Sequence, residues 1–208
     1  MFPLLTLAQQ TYVPDDNFEA YLEANGMGNG IANDDSVTTS NIVGITSLDV
    51  SSKAISDLTG IEDFTSLTNL DCSSNQLTIL NISQNTSLTA LDCYDNQLTN
   101  LDVSQNLALT ELNCGNNQLT SLDVSQNTAL TYLGCFTNQL TNLDVSQNTA
   151  LTSLDCGNNQ LTNLDVSQNT VLTSLYCGLN QLNTLDVSQN TALTVLYCGF
   201  NQLTTLDA

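Results

Sequence analysis

Apolar and polar positions along most of this chain follow one pattern that returns every 21 residues. Thr86 to Asn106 reads TSLTALDCYDNQLTNLDVSQN, and Leu107 to Asn127 reads LALTELNCGNNQLTSLDVSQN. Copies begin at Thr65, Thr86, Leu107, Thr128, Thr149, Thr170 and Thr191, with no insertion between them. The unit is itself double: L-T-x-L-D-C-x-x-N-Q is followed by L-T-x-L-D-V-S-Q-N-T-A. In each half Leu stands at i and i+3, an apolar Cys or Val at i+5, and Asn at i+8. The segment x-Leu-Asp-Cys/Val-x alternates with the period of a strand that buries one face. The pattern therefore predicts two short parallel strands per coil, Asn turns at both corners, and no helix between them. Self-similarity at a fixed period of roughly 20 to 29 residues is the mark of a solenoid.

The spacing L-x-x-L-x-L/C-x-x-N-x-L resembles the leucine-rich repeat signature. From Thr65 to Ala208 the copies are similar to the nested 21-residue class of bacterial leucine-rich repeats, common in secreted proteins of flavobacteria and their relatives. The resemblance implies a mostly β leucine-rich repeat solenoid, capped at its amino end by a short helix. Because the two halves of the unit are nearly equal in length, the coil should be flat and gently curved. The expected organisation is a signal-peptide remnant or disordered amino end over 1–10, a helical cap over 11–44, a degenerate adaptor repeat over 45–64, and the solenoid over 65–208. That solenoid has seven coils, the last incomplete.

The amino end has a pattern of its own. Phe2 to Ala8 resembles the tail of a signal peptide, and Thr11 to Glu23 resembles the start of secreted flavobacterial repeat proteins. Asp16 with Glu19 suggests a capping box, Phe18, Tyr21 and Leu22 form a helical stripe, and Asn25-Gly26 ends it. This helix should cover the open end of the first coil, as repeat arrays require. Asn33, Asp34 and Asp35 faintly suggest a calcium loop, but their spacing misses the D-x-D-x-D-G pattern, so a solvated turn is expected and no metal. In the adaptor, Leu58 to Phe64 has the look of internalin-type repeats with a short helical outer side. The repeats stop at Asp207-Ala208 in mid-coil, and the expectation is that the natural protein continues.

Charge narrows the partners. Asp and Glu number 21 against a single basic residue, Lys53, for a net charge of -20. Such a chain repels phosphate backbones and anionic lipid, which argues against nucleic acid and against membrane partners. Seven cysteines, Cys72 to Cys198 at intervals of 21, share one inward position. Equivalent Cβ atoms on stacked strands sit about 4.8 Å apart, wider than the ~3.8 Å that a disulfide prefers. They read as buried free thiols. With no histidine and no arginine, no phosphate loop and no nucleophile elbow, neither a cofactor nor an enzyme is indicated.

Two polar ladders remain. Asp102, Asp123, Asp144, Asp165, Asp186 and Asp207 recur on the second half, and mutual repulsion is expected to raise their pKa values and strain the fold at low ionic strength. Thr89, Thr99, Thr110 and Thr120 faintly resemble the threonine rows of ice-binding solenoids, but their place beside a corner favours a turn ladder.

The candidate site comes from comparing the coils. Outward residues of the second half barely change, as in Ser121-Asp123-Ser125 and Asn142-Asp144-Ser146. Those of the first half vary in size and charge and carry nearly all the aromatics: Tyr94, Glu111, Tyr132, Phe136, Tyr176 and Tyr197. Glycines beside Tyr132, Tyr176 and Tyr197 should leave shallow gaps between rings. Variation confined to one face of a regular scaffold suggests a binding surface. The expected function is a secreted or cell-surface module binding a protein or carbohydrate ligand on this face. The alternative is a structural spacer with no ligand.

Overall fold

The computed structural model describes residues 8–207, so the signal-peptide reading of Phe2 to Ala8 lies almost wholly outside the described residues. The chain opens with β1 (Gln10–Tyr12), α1 (Asp16–Ala24), β2 (Ser36–Thr38) and α2 (Thr39–Ile42). Strands follow at the repeat interval: β3 (Ser47–Asp49), β4 (Asn69–Asp71), β5 (Ala90–Asp92), β6 (Glu111–Asn113), β7 (Tyr132–Gly134), β8 (Ser153–Asp155) and β9 (Ser174–Tyr176). The last three are β10 (Thr184–Asp186), β11 (Val195–Tyr197) and β12 (Thr205–Asp207).

One parallel sheet of eight strands, in the order β11-β9-β8-β7-β6-β5-β4-β3, forms one side of the coil. Its register is strict: Leu91 stands opposite Leu112 and Leu112 opposite Leu133. Each first-half segment thus becomes a strand, with its middle Leu turned inward. The second halves behave differently. Only β10 and β12 pair as strands; from Leu80 to Leu164 the equivalent segments carry no ladder, although Leu101, Val103, Leu143 and Val145 are buried. Apolar burial and the side-chain bonds of the corner asparagines, such as Asn106 and Asn127, hold that side in place.

The core is one continuous cluster running through all the coils, built from two Leu columns per half and one Cys or Val column. Cys72, Cys93, Cys114, Cys135, Cys156 and Cys177 are buried and free, and Cys198 in the last coil is partly open. Burial pushes the six buried thiols up, Cys114 and Cys177 to about 12. They are packing groups rather than reagents.

Asparagine closes both corners from inside, as expected. Asn96 donates from Nδ2 to the Cys72 and Cys93 carbonyls, and its Oδ1 accepts the Leu77 N–H at 3.0 Å. At the other corner Asn106 donates to the Ile82 and Asn85 carbonyls at 3.0 and 2.9 Å. Threonine hydroxyls add a third ladder: Thr89, Thr110 and Thr131 each donate to the carbonyl of the threonine one coil back. A turn ladder, with its hydroxyls engaged by backbone, is what the first-half threonines make, while Thr99 and Thr120 are exposed and lie outside it.

Two residues beyond each Cys the backbone is left-handed, at Ser74, Asp95, Asn116, Thr137, Asn158, Leu179 and Phe200. Asn and Asp tolerate that region; Leu and Phe do so at a cost.

The cap forms as expected, with its start shifted by one residue. Asp15, not Asp16, is the N-cap of α1, and its Oδ1 accepts the N–H groups of Asn17 and Phe18 at 3.0 Å. Its other oxygen takes the Ser56 N–H and hydroxyl, both at 2.8 Å, so one carboxylate joins the cap to the following repeat. Burial alone would raise its pKa, but the bonds from Ser56, Phe18 and Asp57 outweigh it and the carboxyl is held low. Glu19 is therefore not the partner in a capping box; it turns to the loop and accepts the Asp34 N–H. The ring of Phe18 stacks on Phe64 with centroids 6.3 Å apart, seating the helix on the first coil.

Candidate functional site

The outward face of the eight-stranded sheet carries Glu111, Tyr132, Tyr176 and Tyr197, and Tyr94 and Phe136 lie just past the ends of β5 and β7. Outward positions on successive strands lie side by side in register, so a row of side chains one per coil is automatic. At the amino-terminal half, a shallow depression of about 400 Å³ is lined by Asp49, Asp71, Asp92, Glu111, Asn113 and Tyr132, among others. Glu111 and Tyr132 are thus brought together, and they border acids that the coil comparison did not select. Tyr176 and Tyr197 are register partners at the other end of the sheet, both exposed.

Tyr94 and Phe136 belong to neither group. They follow the Cys of their coils, two coils apart, and their rings meet at 5.7 Å across the intervening Gly115. A Cβ on Gly115 would lie 2.6 Å from the Phe136 ring. Two of the glycines expected to leave gaps are in fact covered, while Gly199 keeps ordinary room beside Tyr197. Tyr132 lies over its own coil's Gly134 and Tyr197 over Gly178, each within 2.7 Å of where a Cβ would stand. Removing the side chain beneath a ring lets it lie flat on backbone, and the aromatics fill the space themselves.

The acids differ by their surroundings. Asp92 is half-buried, and burial pushes its carboxyl up, with the Asp71 charge adding to the rise against bonds from the Tyr94 N–H and Asn113. Burial likewise raises Asp155. Tyr132 is raised first by burial and then by the Asp155 and Asp92 charges. Asp49, near the rim, is held low by the Ser51 hydroxyl and N–H.

The second-half aspartates behave opposite to expectation. Asp102, Asp123, Asp144, Asp165 and Asp186 each accept the N–H of the serine two residues on, at 2.8 to 2.9 Å. Their carboxyls are lowered, chiefly by these serine bonds. Repulsion between neighbours such as Asp102 and Asp123 is present but smaller than the local bond. These side chains are exposed, where the dielectric of water keeps a like-charge pair to about 1 kcal/mol.

Comparison with known proteins points one way. No protein-family model matches the chain. Internalin J of Listeria monocytogenes serotype 4b (strain F2365) is 48% identical over 74 residues, which is 36% of this chain and 8% of that protein. The solved functional domain of InlJ from Listeria monocytogenes, described as including a cysteine ladder, superposes with a TM-score of 0.76 at 43% identity. That match covers 96% of this chain and 50% of the InlJ chain. The fold is that of a leucine-rich repeat protein. An internalin C2 from Listeria monocytogenes strain 4b F2365 superposes at 0.84 with 25% identity, over 95% of this chain and 91% of its own. The plant peptide hormone receptor RGFR1, solved in complex with RGF2, aligns at 0.63 with 25% identity over 69% of this chain and 26% of its own. The repeat solenoid read from the period is thus shared with bacterial leucine-rich repeat proteins. Among the described residues no helix is long and apolar enough to cross a membrane.

Proposed function

We propose that this chain is an extracellular protein-binding module whose ligand lies along the sheet face. The observation that carries the reading is the concentration of variable aromatics and half-buried acids on one face of an otherwise uniform coil. Acids in partial shelter from water strengthen a bound cation more than acids in open solvent do. A peptide segment or protein surface with Lys or Arg flanked by apolar groups therefore suits the depression around Asp71, Asp92 and Glu111, with Tyr132 at its edge. Tyr176 and Tyr197 supply a second, aromatic contact of the kind enriched at interfaces. The solved complex of RGFR1 with RGF2 supports a protein ligand as the class. The covered glycines weigh against sugar rings seated between the aromatics.

The test is selection of a displayed random-peptide library on the full chain. The expected binders are basic peptides that weaken at least tenfold on the Asp92→Asn/Glu111→Gln variant. Ser125→Ala/Ser146→Ala on the opposite side should leave them unchanged. Binders indifferent to the first pair and sensitive to the second would overturn the reading, and a selection with no enrichment would leave a spacer as the better account.

A further inference from the structure

The cap brings three carboxylates together without a basic partner. Asp16 and Glu19 lie three positions apart in the first turn of α1, so their side chains leave the helix on one side. The loop after the helix returns Asp35 to them, and one oxygen from each of the three lies within 4.8 Å of the others. Asp16 and Asp35 are exposed, whereas Glu19 is 1% exposed. Glu19 Oε1 accepts the Asp34 N–H at 3.1 Å, and Oε2 is buried with no hydrogen-bond partner. The Asp34 carboxylate is taken up by Asn29 and Ser36. Lys53, the protein's one basic side chain, stands with Nζ 5.8 Å from the Tyr21 ring centroid and acts on Asp49 instead.

A buried carboxylate oxygen with no donor, beside two further acids, is an expensive arrangement unless positive charge is supplied. We propose that Asp16, Glu19 and Asp35 bind a calcium ion, with Glu19 as the buried ligand and the two aspartates closing the site from the solvent side. All three donors are carboxylate oxygens, which select a hard cation over zinc or copper. Calcium accepts six to eight oxygens in irregular arrangements at roughly 2.3–2.6 Å, so two of its ligands span up to about 5 Å. Magnesium demands a tighter octahedron at about 2.0–2.1 Å, spanning little over 4 Å. A set drawn from a helix turn and a loop, filled out by water on the open side, suits the larger ion. The cation ties α1 to the loop leading into β2, while Asp15 next to it ties α1 to Ser56. Cap closure thereby becomes coupled to calcium.

The test is calcium binding by the full chain, stripped with chelator and measured by titration calorimetry in about 0.15 M sodium chloride to screen the diffuse acidic field. One saturable site is expected, with a rise of several degrees in melting temperature at saturating calcium. Asp16→Asn/Asp35→Asn changes two exposed side chains and should fold normally yet bind at least tenfold more weakly. Glu19→Gln should abolish the calcium-dependent rise and melt no lower than the stripped parent protein. Absence of saturable binding overturns the proposal, and so does unaltered affinity in the double variant, which would place the ion elsewhere on the acidic surface. Magnesium binding as tightly as calcium would overturn the assignment of the ion.

Discussion

The rings of Tyr94 and Phe136 lie 5.7 Å apart across Gly115, joining coils that are not neighbours. In a stacked array each repeat contacts only the next, so this bridge is a longer-range coupling on an otherwise one-dimensional frame. Phe136 was expected among the outward residues of the first half. Half-buried on Gly115 and Tyr94, it contributes to the fold as well as to the face.

Gly115→Ala should therefore act through Phe136. The new Cβ displaces the ring, and the lost aromatic pair is worth roughly 0.5–1.5 kcal/mol. Because both changes remove the same contact, Gly115→Ala should cost little more once Phe136→Ala is already present. Urea unfolding of the two single variants and the double variant checks this; strict additivity would show that the ring does not depend on Gly115.

Stability against pH should pass through a maximum on the acid side. Asp92 and Asp155 have folded-state pKa values raised by burial, so stability is gained as pH falls through those raised values toward the unfolded value of about 4. Asp102, Asp123, Asp144, Asp165 and Asp186 are depressed, so their contribution holds above about 4 and is lost below it. Melting temperature should climb from pH 7 to near pH 4.5 (about half a unit above the unfolded carboxyl value) and then fall. Asp92→Asn/Asp155→Asn should flatten the climb and spare the fall. A steady decline from neutral pH would contradict the burial of those two acids.

Position along the array should set the cost of a core truncation. Leu154 in a central coil is buried, and its change to Ala should cost about 2–5 kcal/mol. Leu206, on the last strand, is 46% exposed, and the same change there should cost well under half as much. Equal losses would mean that the last coil is packed in solution as tightly as the middle ones.

Leu179 is a place where the repeat can be improved. It sits at φ 56° and is exposed, whereas other coils use Asn116 and Asn158 at the same corner. Leu179→Asn should raise stability by about 0.5–1 kcal/mol, seen as a higher urea midpoint with an unchanged slope. A loss would mean that the Leu179 side chain makes a contact worth more than its backbone cost.

What the sequence made legible was whatever repeats. Period, first-half strand position, inward Cys and the Asn corners each had six or seven parallel copies and could be read from the spacing alone, whereas the second-half strands that the same spacing predicted formed only at β10 and β12. What it hid was local and three-dimensional. The N-cap fell on Asp15 rather than Asp16 because Ser56, forty-one residues on, decides which carboxylate is held. The sign of the Asp102 ladder turned on a bond to a serine two residues away, a short contact that outweighs several distant like charges. The covered glycines required knowing which way a ring leans between coils, which no alternation of residue types encodes. The acids of the sheet face carried a visible signal, the outward Asp beside each inward Cys at Asp71, Asp92 and Asp155, but only packing separates a half-sheltered carboxylate from a solvated one.

Cross-coil strand pairing runs the length of one side and is confined on the other to β10 and β12. Mechanically this makes a stiff spine with loose ribs. Bending that spreads the ribs breaks no strand pairing and strains only the Asn-corner bonds and non-directional contact, while bending that opens the spine must break several strand bonds in each coil it passes. Thermal flexing is thus absorbed on the uniform, serine-rich side. The variable side keeps its pitch at about 4.8 Å per coil, and whatever docks there meets a ruler whose marks do not move.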